Sequence, residues 1–338
     1  MQCDRQPHFG GRQAGDITGP TDFPPGRHPS LTSMSGSAIL AIVVHERFLT
    51  ARIDVTGGPD IRADRTRVPW WSFTKTALAT AALQLVARGQ CRLDAQIDGR
   101  PYTLRQLLQH RAGVPNYGNL ASYHEAVRRG EKPWTVGQML ERVGADRLDF
   151  DPGNGWRYSN VGYFFVRQLI EGTTGRDIGS ALRDLVFDAL GLGSVTLATS
   201  AQDLAETAWG NRAAYDPGWV YHGLLVGTPG DAVRFLHSLM LGDVLPGELL
   251  TEMTRRHPIG EQSLPGRPWE TTGYGLGLMI GRMASAGMAT GHSGAGPGSV
   301  SAVYHFADRA SPCTVAAFAR GDEEGATENE SVRLALSA

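Results

Sequence analysis

Hydrophobic and polar positions divide the chain into strand-like ends and a helix-rich middle. Ala38 to Val44 and Phe48 to Val55 are apolar or alternating runs of strand length. The polar turn His45-Glu46-Arg47 separates them, which predicts a hairpin opening an antiparallel sheet. A loop rich in Gly, Pro, Asp and Arg spans Gly57 to Pro69. Phe73, Ala77, Leu78, Ala81, Leu85 and Val86 then recur at helical spacing and predict an amphipathic helix from Ser72 that stops at Gly89. Thr103 to Gln106 and Thr135 to Gln138 read as capping boxes, the first opening a helix that runs to about Gly113. A further helix follows Tyr158-Ser159-Asn160, and another spans Ile178 to Leu190. Residues 198–223 lack a period and read as loop. Thr228-Pro229-Gly230-Asp231 caps the next helix, with Pro at its first position. Strand patterns return at Tyr274 to Ile280, Met288 to Gly294, Ser299 to Phe306 and Cys313 to Arg320, and residues 326–338 read as a terminal helix. Strands at both ends with helices between predict an α+β fold, an antiparallel sheet flanked by helices with an inserted all-helical subdomain. The sheet subdomain is expected from 36–75 and 226–338 and the helical one from 76–225, with the active site between them.

Composition narrows the function classes. With 41% hydrophobic and 20% charged residues the 338-residue chain is globular, and residues 1–35 form a polar tail expected to be disordered. A net charge of -2 gives no electrostatic case for nucleic acid or an anionic membrane. The longest apolar run near the start, Ala38 to Val44, is far too short to span a bilayer. No export signal is evident, which places the expectation in the cytoplasm, with Met34 as an alternative start. Cys3, Cys91 and Cys313 are odd in number and widely spaced, so neither a disulfide framework nor a metal site is expected, and no cofactor is implied.

The candidate chemistry begins at Trp70-Trp71-Ser72-Phe73-Thr74-Lys75. The chain holds 30 arginines and two lysines, Lys75 and Lys132. Arginine keeps its proton at working pH, whereas a desolvated lysine gives it up. Lys75 lies one helical turn from Ser72, so a serine nucleophile and a proton partner share one face at a helix start. Tyr158 and Asn160, two apart ahead of a helix, point to a second pair of cleft groups. His292-Ser293-Gly294 ends a strand at a Gly-rich turn, where backbone N–H groups come close to a substrate. Gly291 to Ala295 also resembles a nucleophile elbow, G-x-S-x-G, around Ser293, with Ala at the last position. That reading requires an acid and then a histidine downstream, and a helix directly after the elbow. No Asp or Glu lies between Ser293 and His305, and Gly296-Pro297-Gly298 follows instead.

The order S-x-x-K, Y-x-N, H-x-G resembles the serine β-lactamase/penicillin-binding-protein superfamily. The nearer likeness is to its branch of class C β-lactamases, D-Ala-D-Ala carboxypeptidases, D-aminopeptidases and esterases. Leu107 to Pro115 (LLQHRAGVP), Pro152-Gly153 and Tyr274-Gly275-Leu276-Gly277 are similar to that branch as well. The resemblance implies the β-lactamase/transpeptidase-like fold and the following roles. Ser72 is the acylated nucleophile, Lys75 its proton partner, and Tyr158 the base in acylation and acid toward the leaving group. Asn160 orients the substrate amide and Lys75. The backbone N–H groups of Ser72 and Ala295 form the oxyanion hole beside Ser293 and Gly294. His292 stands where most β-lactamases carry lysine; the resemblance implies that it helps hold a substrate carboxylate or tunes Tyr158, and that β-lactam hydrolysis is at most weak. Arg111 replaces a small polar residue, which predicts a more cationic cleft wall. The implied substrate is a small molecule or short peptide with an amide or ester bond, a D-amino-acid derivative or small ester. A domain that is acylated by penicillin without turnover is the alternative. Whether Lys75 or Tyr158 takes the proton from Ser72 is open at this level.

Overall fold

A computed structural model describes residues 48–54, 65–97, 99–211, 214–260 and 265–337. The run Ala38 to Val44 and its turn lie outside the described residues. Strand β1 (Phe48–Asp54) is followed by the two-residue strand β2 (Val68–Pro69) and helix α1 (Thr74–Ala87). The middle of the chain contains α2 (Leu104–Leu108), α3 (Ala121–Arg128), α4 (Val136–Val143), α5 (Asn160–Thr174) and α6 (Ile178–Leu182). Next come β3 (Thr196–Leu197), α7 (Ala201–Ala205), β4 (Leu225–Gly227), α8 (Pro229–Leu241) and α9 (Gly247–Thr254). Strands β5 (His257–Gly260), β6 (Thr272–Tyr274), β7 (Met279–Met283), β8 (Gly287–Gly296), β9 (Ser299–Phe306) and β10 (Cys313–Arg320) lead to α10 (Glu324–Leu336).

The main sheet runs β1-β10-β9-β8-β7-β6-β5, every pair antiparallel. Its central strands are buried on both faces, and their alternation sorts them into two apolar clusters. Ala302, Tyr304, Phe306 and Val315 belong to one cluster with Ala335 of α10. Val303, Ala316 and Phe318 belong to the other, which is continuous with α1, α5 and α8. The sheet is therefore sandwiched between α10 and the helical body. A small second sheet, β2-β4-β3, clamps the chain just before the Ser72 turn.

Several elements differ from the sequence pattern. α1 is buried almost all round, Thr74, Lys75, Thr76 and Thr80 included, so it is a central helix rather than an amphipathic surface one. α2 ends at Leu108, well short of Gly113, because His110 turns left-handed at φ 58°. The segment Tyr274 to Ile280 is two strands with a break between. Gly277 (φ 77°) leaves the ladder there to donate to the Leu108 carbonyl and accept from the Thr76 hydroxyl. The stretch Ile178 to Leu190 passes from α6 through a π-type turn at Arg183–Phe187 into a 3-10 turn. The terminal helix begins at Glu324, two residues early. Among the described residues no helix is long and apolar enough to cross a membrane.

Candidate active site

Ser72 sits in a 3-10 turn, Trp71–Phe73, that runs directly into α1. The turn is held from several sides. Trp71 adopts φ 47°, a left-handed conformation rare for a bulky residue, and its indole N–H donates to Ser299 Oγ at 2.9 Å. The Trp70 carbonyl accepts from Ser301 Oγ at 3.1 Å, and its N–H donates to the Leu225 carbonyl at 2.9 Å. Strand β8 passes so close that a Cβ on Gly294 would lie 2.5 Å from the Ser72 amide nitrogen.

The tyrosine arrives from the opposite side. Ser159 is the N-cap of α5, accepting from Gly162 N–H at 2.9 Å and donating to the Pro115 carbonyl at 2.9 Å. Fixing the cap fixes Tyr158, whose hydroxyl donates to Ser72 Oγ at 2.8 Å. Lys75 Nζ lies 3.2 Å from the same oxygen and 4.9 Å from the Tyr158 ring centroid. The sequence candidates Ser72, Lys75 and Tyr158 thus meet at one oxygen.

Burial determines their protonation. Lys75 is completely buried, and desolvation holds its amine well below the ordinary lysine range; the nearby Glu324 charge opposes this. Desolvation pushes the Tyr158 phenol up, against the bond to Ser72. Both shifts favour the uncharged form, an amine on Lys75 and a phenol on Tyr158.

Asn160, first residue of α5, lines a cleft with Ser72, Tyr117, Tyr215, His222 and Ala295. Among the described residues the Lys75 amine bonds Ser72 and His222 rather than Asn160. His292 is buried with both ring nitrogens occupied. Nδ1 donates to the Ser293 carbonyl, so Nε2 accepts from the Tyr274 hydroxyl at 2.8 Å. Burial, reinforced by Lys75, lowers its pKa to about 3, so it offers no charge to a carboxylate. Ser293 points away, toward Arg267 Nη2 at 3.1 Å and Met279 Sδ. It lies inside strand β8, opposite Ala302 of β9, with no helix following, which removes the elbow reading. Arg111 donates to the Gly153 carbonyl and does not line this cleft.

The sequence reading passed over other groups. His110 packs on Tyr158, Tyr163 and Tyr274 with ring centroids 4.4, 5.1 and 4.7 Å away. His222 Nε2 lies 3.1 Å from Lys75 Nζ. Behind β8, Arg267 grips the fully buried Glu328 through two nitrogens and also pairs with Glu324 at 3.0 Å. His110 lies within the Leu107 to Pro115 stretch. His222 and Arg267 had no local pattern to mark them.

The arrangement can activate a serine, protonate a leaving group and admit a small acyl group. The cavity at Ser72 is about 100 Å³, and its lining residues Trp71, Tyr117, Tyr123 and Tyr215 are aromatic.

The family model described as Beta-lactamase matches residues 34–338. Penicillin-binding protein 4* of Bacillus subtilis (strain 168) is 23% identical over 271 residues, covering 70% of this chain and 57% of that protein. The chain spans about half the length, or less, of the curated relatives it matches. Among solved structures, a D-stereospecific amidohydrolase from Streptomyces sp. is 26% identical with TM-score 0.65, covering 85% of this chain and 92% of that one. The D-amino acid amidase from Ochrobactrum anthropi SV3 is 22% identical with TM-score 0.71, covering 87% and 97%.

Proposed function

Since the chain belongs to the Beta-lactamase family, we propose that it is a serine hydrolase that forms an acyl-enzyme at Ser72 and cleaves an amide or ester of a small D-amino-acid derivative. The observation that carries this is the Ser72 oxygen, bonded by the Tyr158 hydroxyl at 2.8 Å with the Lys75 amine at 3.2 Å.

The directions of these shifts support the following steps. The neutral Lys75 amine takes the Ser72 proton as Oγ attacks the carbonyl carbon. The backbone N–H groups of Ser72 and Ala295 receive the oxyanion. Tyr158, a phenol at rest, gives its proton to the leaving nitrogen or oxygen, and the Lys75 proton then restores Tyr158. Water repeats the sequence to release the acid. In this reading Lys75 is the base and Tyr158 the acid of acylation, and Asn160 orients the substrate amide in the cleft.

Pocket size limits the acyl group. The roughly 300 Å³ at which ligand pockets usually begin is well above the cavity here, and its rings favour a small apolar or aromatic side chain. D-Phenylalaninamide, D-amino-acid p-nitroanilides and short p-nitrophenyl esters are the substrates expected to turn over, with nitrocefin slow. The test is that panel with intact-protein mass spectrometry. Turnover with a transient adduct on Ser72, absent in Ser72→Ala, supports the reading. A trapped adduct with no product release replaces it with the penicillin-recognising binding module. Labelling that persists in Ser72→Ala overturns the nucleophile.

A further inference from the structure

His222 lies between the 3-10 turn Pro217–Trp219 and β4, far in sequence from every motif of the site. Its ring is buried, with Nε2 3.1 Å from Lys75 Nζ. The other nitrogen, Nδ1, is also buried and has no hydrogen-bond partner among the described residues. The hydrogen bonding of this ring is therefore committed to the lysine. A buried imidazole with a single polar tie carries an unfavourable desolvation that packing alone does not call for.

We propose that His222 is a positioning residue that accepts one N–H of the neutral Lys75 amine at Nε2 and so turns the amine lone pair onto Ser72. The inference rests on the reading of Ser72 as nucleophile and Lys75 as its base.

The argument is one of donor and acceptor count. A neutral amine has two N–H groups and one lone pair. To take a proton from Ser72, the lone pair must face Oγ, and the N–H groups must point elsewhere. In a buried site an N–H seeks the nearest acceptor, and without His222 that is Ser72 Oγ itself at 3.2 Å. Ser72 would then accept from both Lys75 and Tyr158, and its own proton would have no base. An acceptor at 3.1 Å on another side removes this competition. The role requires a neutral ring with its proton on Nδ1. Burial and the adjacent Lys75 hold His222 well below the ordinary histidine range, and Arg167, His110 and His292 act in the same direction. The opposite tautomer would spend the lysine lone pair on Nε2–H and leave the amine unable to act as base. During acylation the Oγ–H bond breaks, the proton joins Nζ, and His222 neither gains nor loses one.

The experiment compares His222→Leu with His222→Gln, since only the amide oxygen of Gln restores an acceptor. The readout is the pre-steady-state burst with p-nitrophenyl acetate, with mass spectrometry of Ser72. The Leu variant is expected to acylate about 100-fold more slowly with KM unchanged, and the Gln variant to recover to within about tenfold of wild type. Equal loss in both folded variants, or wild-type acylation in the Leu variant, overturns the role. Nitrogen-15 NMR of the wild-type ring tests it without any variant: a protonated Nδ1 supports it and a protonated Nε2 overturns it. Failure of the wild-type protein to acylate at Ser72 would overturn the underlying hydrolase reading and this role with it. Wild-type labelling that the Leu variant matches would overturn His222 alone.

Discussion

The His110 ring lies 4.4 Å from the Tyr158 ring, centroid to centroid, and its Nδ1 accepts the Ser159 N–H at 3.1 Å. One residue therefore packs the proposed acid and anchors the residue that caps α5. It reaches both by adopting φ 58°, a conformation open to Asn as well as Gly. His110→Asn keeps the backbone and an acceptor but removes the ring. Acylation is expected to fall about tenfold, since a misplaced catalytic group loses that and more. Stability in urea should fall by about 1–3 kcal/mol, the packing loss of a buried ring only partly replaced. Unchanged acylation with lowered stability would reduce His110 to a packing role.

Tyr158→Phe deletes the hydroxyl that donates to Ser72 and retains the ring against His110. Amide hydrolysis should drop about 10²–10⁴-fold, the usual weight of a general acid. Activated p-nitrophenyl esters, whose leaving group needs no proton, should lose far less. Stopped-flow comparison of anilide and ester substrates checks this. An equal loss on both would return Tyr158 to the role of base.

Lys75 gives a prediction about stability as well as rate. Its folded pKa is depressed, so the unfolded chain binds the extra proton between the folded pKa and the ordinary lysine value of 10.5. Stability therefore rises with pH across that window and is lost as pH falls through the folded pKa. Lys75→Met removes this dependence and should stabilise the fold at pH 7 by about 1 kcal/mol or more while abolishing acylation. The wild-type acid limb of acylation should lie well below the ordinary lysine range. Urea melts across pH 6–10 and a pH–rate profile test both. A Met variant less stable than wild type at pH 7 would contradict a neutral, strained lysine.

Sequence pattern reveals what chemistry repeats locally and hides what the fold assembles. Ser72, in the 3-10 turn, and Lys75, at the start of α1, stand one helical turn apart, and Tyr158 precedes a capped helix, so both could be read from spacing. β9 and β10 were legible because short apolar runs bounded by turn residues have little else to be. The break at Gly277 was not, because it depends on bonds to Thr76 and Leu108. The all-round burial of α1 was obscured because threonine and lysine read as polar, yet Thr76 and Thr80 satisfy their hydroxyls on carbonyls inside the core. His222 carries no signal, since it meets Lys75 across 147 residues of chain.

The charge cluster behind β8 predicts an order of stabilities. Glu328 is fully buried and is held by Arg267, by Trp269 Nε1 at 3.0 Å and by the Tyr304 hydroxyl at 3.4 Å. Arg267→Met strips its counter-charge and should cost about 3–5 kcal/mol. Glu328→Gln leaves Arg267 its second partner Glu324 at 3.0 Å and should cost less. Denaturant melts of the two variants give the order, and a reversed order would place the main burden on the arginine.

Gly294 marks the closest approach of the sheet to the nucleophile. Its backbone is not left-handed, so an alanine there meets no torsional strain of its own. It meets space that is already occupied. The added Cβ would lie 2.5 Å from the Ser72 nitrogen, 2.8 Å from Trp71 Cβ and 3.1 Å from Ser301 Oγ. The first of these is backbone, so it cannot rotate away. Trp71 is tied by its indole to Ser299, and the Trp70 carbonyl to Ser301, so neither yields cheaply. Either β8 or the Ser72 turn must shift, and both carry proposed oxyanion donors. Gly294→Ala should lower stability by about 1–3 kcal/mol as overpacking does. The same shift should cut kcat/KM about 100-fold, because a displacement near 1 Å is enough for that. Gly193→Ala, at a glycine with open space and an ordinary backbone, is the control and should leave both unchanged. Full activity in Gly294→Ala would mean that the β8–Ser72 contact is not needed to hold the oxyanion site.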